Sequence, residues 1–420
     1  MLSKEYATQQ ALYEVGSAST RSEALITFEE NKYLLKDWRV IYADESKNGP
    51  FPLRRCQFSE KGFISTLFSG NSLWVLDHDV ISSSDTMMFQ VGYGTYIDSI
   101  AASFIRSLAY REQPKEQLLN FCRMLSDFFS IEELSHINPY LYLWEAQRDR
   151  SPETVTGIRE TMAALIALPW IKQPLNVEWG KKYRKLYREQ AESEADRFLY
   201  KFYQDLDAGL GKAIEEQVNI LEAMLVRTKI IELSSKRSPQ SKMNELVQFM
   251  HEELSTMMFR ELIVCADIIF REGKSQMSRK LDGLQKKKMP FEELRNCARD
   301  LNMLRTMDQL TNSSVDNIDS AFYIANLITF DRDIIDILQL TELRAVALHR
   351  YSSIAFPIYN KQLVTWLSEK LGEKRFTNLK DIFKKNGFYS RTRARSRSNV
   401  KAILEEDKKK LASLIDKINN

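Results

Sequence analysis

Apolar residues of this 420-residue chain follow mainly strand-like runs near its start and mainly helical spacing from about residue 115, and that change limits the folds open to it. Before it, apolar and β-branched residues occur in short runs of strand length, of which 72–77 and 88–97 are the strongest. After it, the pattern is almost wholly helical. A chain this long can bury a large core. We therefore expect an α/β fold with a predominantly helical remainder.

Further strand and turn signals surround these two runs. Segments 24–28 and 38–42 carry β-branched and aromatic residues at strand length, and the polar segment 82–85 reads as a turn. Directly after Asp98 the apolar residues adopt helical spacing, which predicts a helix from about residue 99 to 108.

Ser-Pro and Met-Pro pairs mark helix starts farther along. Ser suits the N-cap and Pro the first helical position at 151–152 and 238–239, and Pro290 is followed by acidic residues. The charged helices between them, 153–257, predict a helical insertion. The apolar run 322–330 predicts a late return to the sheet.

The end of the chain is predicted to be helical with one interruption. We expect a helix over 333–350, a mobile linker at the arginine-rich segment 391–398, and a final helix over 399–418. The resulting division is 1–70, mixed α/β; 71–150, first part of an α/β domain; 151–257, helical insertion; 258–370, second part of that domain; 371–420, basic tail and helix.

Several classes of function lack support in the sequence. The four cysteines and four histidines show no metal-ligand spacing. Gly92 and Gly94 lack the later glycine and the lysine of a nucleotide-binding loop. There is no signal-peptide core and no run of about 20 apolar residues. We expect a cytoplasmic protein with no membrane partner.

Four carboxylates stand at the ends of apolar runs or on the edge of an apolar helix face. They are Asp98, Glu145, Asp300 and Asp331. Carboxylates are costly to desolvate, and a group of them near a core is commonly compensated by a divalent cation. Ligand sets made only of oxygen favour Mg²⁺ or Mn²⁺.

Alternatives stay open for each of these positions. Asp77 also follows a strand and competes with Asp98, while Asp308 lies nearer the centre of its helix face and competes with Asp300. An Asp after a strand is also a favoured helix N-cap, so Asp98 and Asp331 have a purely structural explanation. Glu145 could be a surface residue.

The order of these acids, together with an apolar strand that leads into Thr329-Phe-Asp-Arg-Asp333, resembles PIN-like metal-dependent nucleases. The similarity covers about a third of the chain, in the segments 88–108, 139–147, 291–308 and 322–336. It implies a parallel sheet flanked by helices and interrupted by the helical insertion. It further implies Mg²⁺ or Mn²⁺ ligands and catalytic residues at Asp98, Glu145, Asp300 and Asp331, with Asp333 as an additional or alternative ligand. The size of the chain is similar to that of large PIN-like nucleases of the bacterial antiphage or toxin type, so the resemblance implies a defence or toxin effector.

The segment 374–401 is strongly basic, with ten Lys or Arg and a single acid. Such side chains neutralise phosphates, and interleaved aromatic rings can stack on bases. The predicted nucleic-acid contacts are Lys384, Lys385, Arg391, Arg393, Arg395 and Arg397. A solvated tail or a docking segment for another protein is the alternative.

Two functions from different classes follow. The first is a metal-dependent endonuclease that hydrolyses phosphodiester bonds in RNA or DNA. The second is a non-enzymatic helical scaffold or nucleic-acid-binding adaptor subunit, in which the carboxylates are caps and ion pairs. Either could bind a protein partner or form a homo-oligomer.

Overall fold

The computed structural model describes residues 2–82, 91–234, 236–311, 322–395 and 397–419. Within them the chain forms ten strands in two five-stranded sheets, surrounded by helices. The strands are β1 (Trp38–Asp44), β2 (Phe51–Pro52), β3 (Cys56–Gln57), β4 (Phe63–Thr66), β5 (Ser72–Asp77), β6 (Val91–Ile97), β7 (Ile137–Asn138), β8 (Phe322–Thr329), β9 (Leu343–His349) and β10 (Ala355–Tyr359). The expected α/β fold with a helical remainder is confirmed.

The first sheet is antiparallel throughout, in the order β10-β9-β1-β5-β2. Its central strand β1 pairs with β5 on one side and with β9, about three hundred residues later, on the other, so that Ile41 lies opposite both Val75 and Val346. The expectation of a parallel sheet is wrong for this part of the fold. Segments far apart in the sequence therefore share one sheet.

The second sheet, in the order β3-β4-β8-β6-β7, is mixed. β3 and β4 are antiparallel because a short hairpin joins them, and β4 runs antiparallel to β8. β6 is parallel to β8 and to β7, with Ile97 opposite Ile328. The parallel arrangement is thus limited to three strands. Since β6 and β8 end at the same edge, the residues that follow them meet there.

Helices at the start of the chain cover the first sheet. They are α1 (Leu2–Gly16), α2 (Arg21–Glu30) and α3 (Lys32–Leu35). The segment 24–28, predicted as a strand, belongs to α2, so that prediction is wrong. The Thr20 side chain caps this helix by accepting from Glu23 N, and Ala24 and Phe28 are buried four residues apart. One helical face, rather than one face of a strand, therefore explains the apolar spacing.

The chain between the parallel neighbours β6 and β8 is helical in its described part, apart from β7. Its first helices are α5 (Ser99–Tyr110), α6 (Glu116–Phe128), α7 (Ile131–Ser135), α8 (Tyr140–Ala146), α9 (Pro152–Ile166), α10 (Leu168–Ile171), α11 (Val177–Lys182) and α12 (Arg188–Asp205). The short helix α4 (His78–Ser82) lies before β6, directly after β5. π-helical turns at Tyr183–Tyr187 and Leu206–Leu210 join α11, α12 and the next helix. The predicted helix after Asp98 is confirmed as α5.

The later helices of this stretch enclose the other side of the core. They are α13 (Gly211–Ser234), α14 (Pro239–Glu252), α15 (Phe259–Phe270), α16 (Gln276–Leu281) and α17 (Pro290–Leu310), with a 3₁₀ turn at Leu284–Lys286. α13 packs against α17 and against the last helix of the chain. The helices of the segment 153–257 thus belong to two hydrophobic clusters rather than to one separate bundle.

The last part of the chain differs from the sequence prediction at two places. α18 (Arg332–Leu340) ends at Thr341 and is followed by β9, so the helix predicted over 333–350 is only half as long. The segment predicted as a mobile linker begins inside a helix. The remaining helices are α19 (Leu363–Leu371), α20 (Glu373–Thr377), α21 (Lys380–Phe383), α22 (Lys385–Ala394) and α23 (Arg397–Asn419).

α23 is anchored by both apolar and charged contacts. Leu404 and Leu411 are buried, and the buried carboxylate of Asp407 pairs with Arg227 of α13. None of the helices in the described ranges combines the length and apolar character that crossing a bilayer requires. Most of the predicted turn 82–85 and the start of the strand predicted at residue 88 lie outside the described residues.

Candidate metal centre

Asp98 lies at the sheet edge where β6 and β8 end together. Its Oδ1 accepts a hydrogen bond from Ala101 N at 2.7 Å, which caps α5. Its Oδ2 accepts from Thr329 Oγ1 at 2.9 Å and Phe330 N at 2.6 Å. Burial raises the pKa of Asp98, although these donors act in the opposite direction. The carboxylate therefore connects two strand ends.

Asp331 and Asp333 follow β8 at the start of α18. Asp331 caps this helix by accepting from Asp333 N at 2.8 Å, and its own backbone N–H donates to Thr329 Oγ1 at 2.9 Å. Asp333 is buried and forms an ion pair with Lys280 of α16. Burial raises the pKa of Asp333 even with Lys280 beside it.

Asp300 of α17 completes this acidic group. One carboxylate oxygen from each of Asp300, Asp331 and Asp333 lies within 4.8 Å of the others. Within the described part of the chain, half-buried Asp300 has neither a hydrogen-bond donor nor an ion pair. Desolvation, followed by Asp331, Glu145 and Asp333, raises its pKa well above the usual value. Such a carboxylate is stabilised by binding a proton or a cation.

Glu145 approaches the group from α8. Its side chain is exposed, and its Oε2 accepts from Ser99 Oγ at 2.6 Å. Asp98, Glu145, Asp300 and Asp331 all line one cavity of about 120 Å³. The four carboxylates selected from the sequence are therefore brought together, and Asp333 is within reach of two of them.

Two neutral polar groups also line this cavity, and the sequence did not single them out. Asn302 is 4% exposed, and its Oδ1 lacks a hydrogen-bond partner among the described residues. The buried Nε1 of Trp144 also lacks a hydrogen-bond partner among the described residues. A buried polar atom without a partner commonly marks the place of water, an ion or a ligand. The one signal available in the sequence was an Asn within the apolar spacing of α17.

The two competing carboxylates lie elsewhere and are compensated. Asp77, at the end of β5, pairs with Arg39 at 2.9 Å and accepts from Val80 N at 3.0 Å. Asp308 is buried against Arg260, whose guanidinium donates to both carboxylate oxygens at 2.8 and 3.1 Å. Neither residue lines the cavity.

The donor set suits a hard cation. Among the described residues the one group of side chains arranged to hold a metal is Asp300, Asp331 and Asp333, and it contains neither His nor Cys. Carboxylate oxygens are the ligands that Mg²⁺ and Mn²⁺ prefer. Unpartnered Asn302 Oδ1 is evidence for a ligand that is independent of the acidic cluster itself.

The predicted nucleic-acid contacts fall into two groups. Arg391 is half-buried in α22, where it donates to Ile382 O at 2.7 Å and lies 3.1 Å from His251 Nδ1. It therefore has a structural role. Arg393 and Arg395 are exposed.

The other predicted nucleic-acid contacts come before or after Arg393 in the sequence. Lys384 forms an exposed ion pair with Asp381, and Lys385 donates to Ser3 Oγ at 3.0 Å. Arg397 begins α23. Lys384, Lys385, Arg391, Arg393 and Arg395 do not line the acidic cavity.

Comparison with protein-family models, curated proteins and solved structures finds no match to this chain. The resemblance to PIN-like nucleases therefore rests on the residues of the acidic segments alone.

Proposed function

We propose that this protein is a Mg²⁺- or Mn²⁺-dependent nuclease that hydrolyses phosphodiester bonds in RNA or DNA. The observation that carries the proposal is the position of Asp300. Its carboxylate has no described donor, yet it lies beside Asp331 and Asp333. Three acids this close repel one another unless a cation or protons compensate them.

The side chains would have distinct roles. Asp300 and Asp331 line the cavity and would hold the ion, with Asp333 free to join them if Lys280 moves away. Exposed Glu145 would orient water or a second ion. Asp98, whose oxygens already accept three hydrogen bonds, would position the strand ends. The bound ion would supply activated water and stabilise charge on the phosphodiester.

Nucleic acid is the proposed substrate because the same chain carries exposed cations in its C-terminal region. Arg393 and Arg395 have no described ion pair and are accessible. Cationic side chains of this kind bind phosphates with release of counterions. Action as an antiphage or toxin effector is the biological role that the PIN-like resemblance suggests.

The test is cleavage of labelled single-stranded and double-stranded RNA and DNA by the full chain with Mn²⁺ or Mg²⁺. Asp300→Asn and Asp331→Asn should each lower the rate at least about 100-fold, because the loss of a ligand exceeds the effect of losing an outer-shell partner. Asp127→Asn, which changes an exposed acid of α6, is the matched control. Wild-type cleavage that persists in excess EDTA contradicts the proposal.

A second candidate is a non-enzymatic scaffold or nucleic-acid-binding adaptor. It is favoured by the hydrogen bonds of Asp98 and Asp331, since both carboxylates cap helices and need no metal for that. Nucleic-acid binding without cleavage under any divalent cation, with unchanged affinity in Asp300→Asn, would support this function instead.

A further inference from the structure

Two arginines border the acidic cavity without forming a described ion pair with its acids. Arg148 follows α8, and Arg299 precedes Asp300 in α17. Neither forms an ion pair with any residue in the described ranges. Arg299 has one weak hydrogen bond, to Asn296 Oδ1 at 3.3 Å, and Arg148 has none there.

The surroundings of the two guanidiniums make this lack of partners informative. Glu215 of α13, whose charge acts on both guanidiniums, is already paired with Arg295. Desolvation, and then the charge of Arg299, lowers the pKa of exposed Arg148, although Glu145, Asp300 and Glu215 act in the opposite direction. Two cations that repel each other beside a cavity are stabilised by an anion placed between them.

The chemistry of the cavity indicates the class of anion. Guanidinium groups bind phosphate oxygens through paired N–H donors. Trp144, whose buried Nε1–H has no described partner, also lines this cavity. A volume of about 120 Å³ is well below the several hundred Å³ of pockets that enclose a small organic ligand. The space therefore has room for a phosphate group together with an ion.

We propose that Arg148 and Arg299 bind a backbone phosphate of the nucleic acid and hold it against the acidic group. Recognition at the cleaved position is then independent of the base. The orientation of this phosphate rests on the proposed function, whereas binding of phosphate by the two arginines does not. The pair has no part in holding the metal.

The experiment measures binding of inorganic phosphate to the full chain by calorimetry, without divalent cations and at low ionic strength. Arg148→Ala combined with Arg299→Ala should weaken binding at least ten-fold. Arg148→Lys combined with Arg299→Lys should recover part of the loss, because lysine keeps the charge but not the planar fork. Arg150→Ala is the matched control, since Arg150 is exposed, pairs with Asp207 and lies outside the cavity.

The second measurement is the Mn²⁺-dependent cleavage of the four homopolymeric oligonucleotides. The double Ala variant should raise KM at least ten-fold, by similar factors for all four bases. Phosphate binding through the pair without any cleavage would overturn the nuclease function and leave the phosphate site standing. Unchanged phosphate affinity in the double Ala variant would overturn the phosphate site. If the wild type cleaves, an equal KM for the wild type and the double Ala variant would overturn it as well.

Discussion

The carboxylates that line the cavity or lie beside it differ in how each one is compensated. Asp98 has three hydrogen-bond donors and Asp333 has Lys280, whereas Asp300 has no described partner. Substitution of Asp by Asn, which conserves volume, therefore has opposite effects at different positions. Where donors surround a carboxylate, stability is lost; where other acids surround it, stability is gained.

Asp300→Asn should stabilise the metal-free protein at neutral pH. The pKa of Asp300 is raised in the folded state, so folded protein holds more protons than unfolded protein above the unfolded value near 3.8. Wild-type stability consequently falls as pH rises through the folded pKa. In EDTA at pH 7 the variant should melt at least about 2 °C higher. The difference in melting temperature between variant and wild type should vanish below pH 3.8. If the variant melts at the same temperature as wild type or lower at pH 7, the carboxylate of Asp300 is not destabilised by its surroundings.

Asp98→Asn should destabilise the protein by about 1–3 kcal/mol, the cost of leaving buried donors unsatisfied. The amide has one acceptor oxygen for the three donors that Asp98 now satisfies, so Ala101 N or the pair from Thr329 and Phe330 loses its partner. Urea unfolding measures this cost, with Asp127→Asn as the control. A neutral result would mean that Asp98 does not join the strand ends.

At the scale of single elements, the arginines of the basic C-terminal segment have two kinds of role, one structural and one proposed to bind nucleic acid. Arg391 is tied to Ile382 and His251, while Arg393 and Arg395 extend into solvent. Arg393→Ala with Arg395→Ala should weaken binding to all sequences about equally and lower the log–log salt slope by about 1.5, at 0.7–0.9 per phosphate. Fluorescence anisotropy across a salt series measures this.

Its control is Arg123→Ala, which removes an exposed arginine of α6. The rate of cleavage at saturating substrate should survive the double substitution, because neither arginine lines the cavity. An unchanged salt slope would identify this helix as a docking segment for another protein.

The sequence predicts elements best where one local signal dominates. β5 and β8 are apolar runs of strand length, and α5 and α17 show helical spacing from start to end. The segment 24–28 was mistaken for a strand because Ile26 and Thr27 are β-branched, although a capped helix buries Ala24 and Phe28. The helix predicted over 333–350 is too long because apolar residues continue after Thr341, where the chain forms β9 instead.

The same reasoning explains what could be foreseen of the site. Asp98 and Asp331 follow strands, and the carboxyl ends of parallel strands meet at one edge. The sequence does not choose between Asp300 and Asp308, because that choice depends on Arg260 from a different helix. Neutral Asn302 carries no charge signal at all.

At the scale of the whole molecule, the cavity joins parts of the chain that are far apart in sequence. Its acids come from the ends of β6, α8 and β8, from α13 and from the middle of α17. The first sheet likewise pairs β1 with β9. Such pairings depend on burial across the entire fold and leave no local trace. Because the acids meet only in the folded state, a cation that binds them must also stabilise that state.

Mn²⁺ should therefore raise the melting temperature of the full chain. A ligand that binds only the folded state adds RT ln(1 + [L]/Kd), about 2.7 kcal/mol at a hundred-fold excess over Kd. Asp300→Asn should abolish this shift while starting from a higher melting temperature in EDTA, because the substitution removes both the ligand and the repulsion. Asp127→Asn should keep the full shift. An equal Mn²⁺ shift in Asp300→Asn and wild type would place the binding of the cation outside this cavity, whatever the cleavage assay shows.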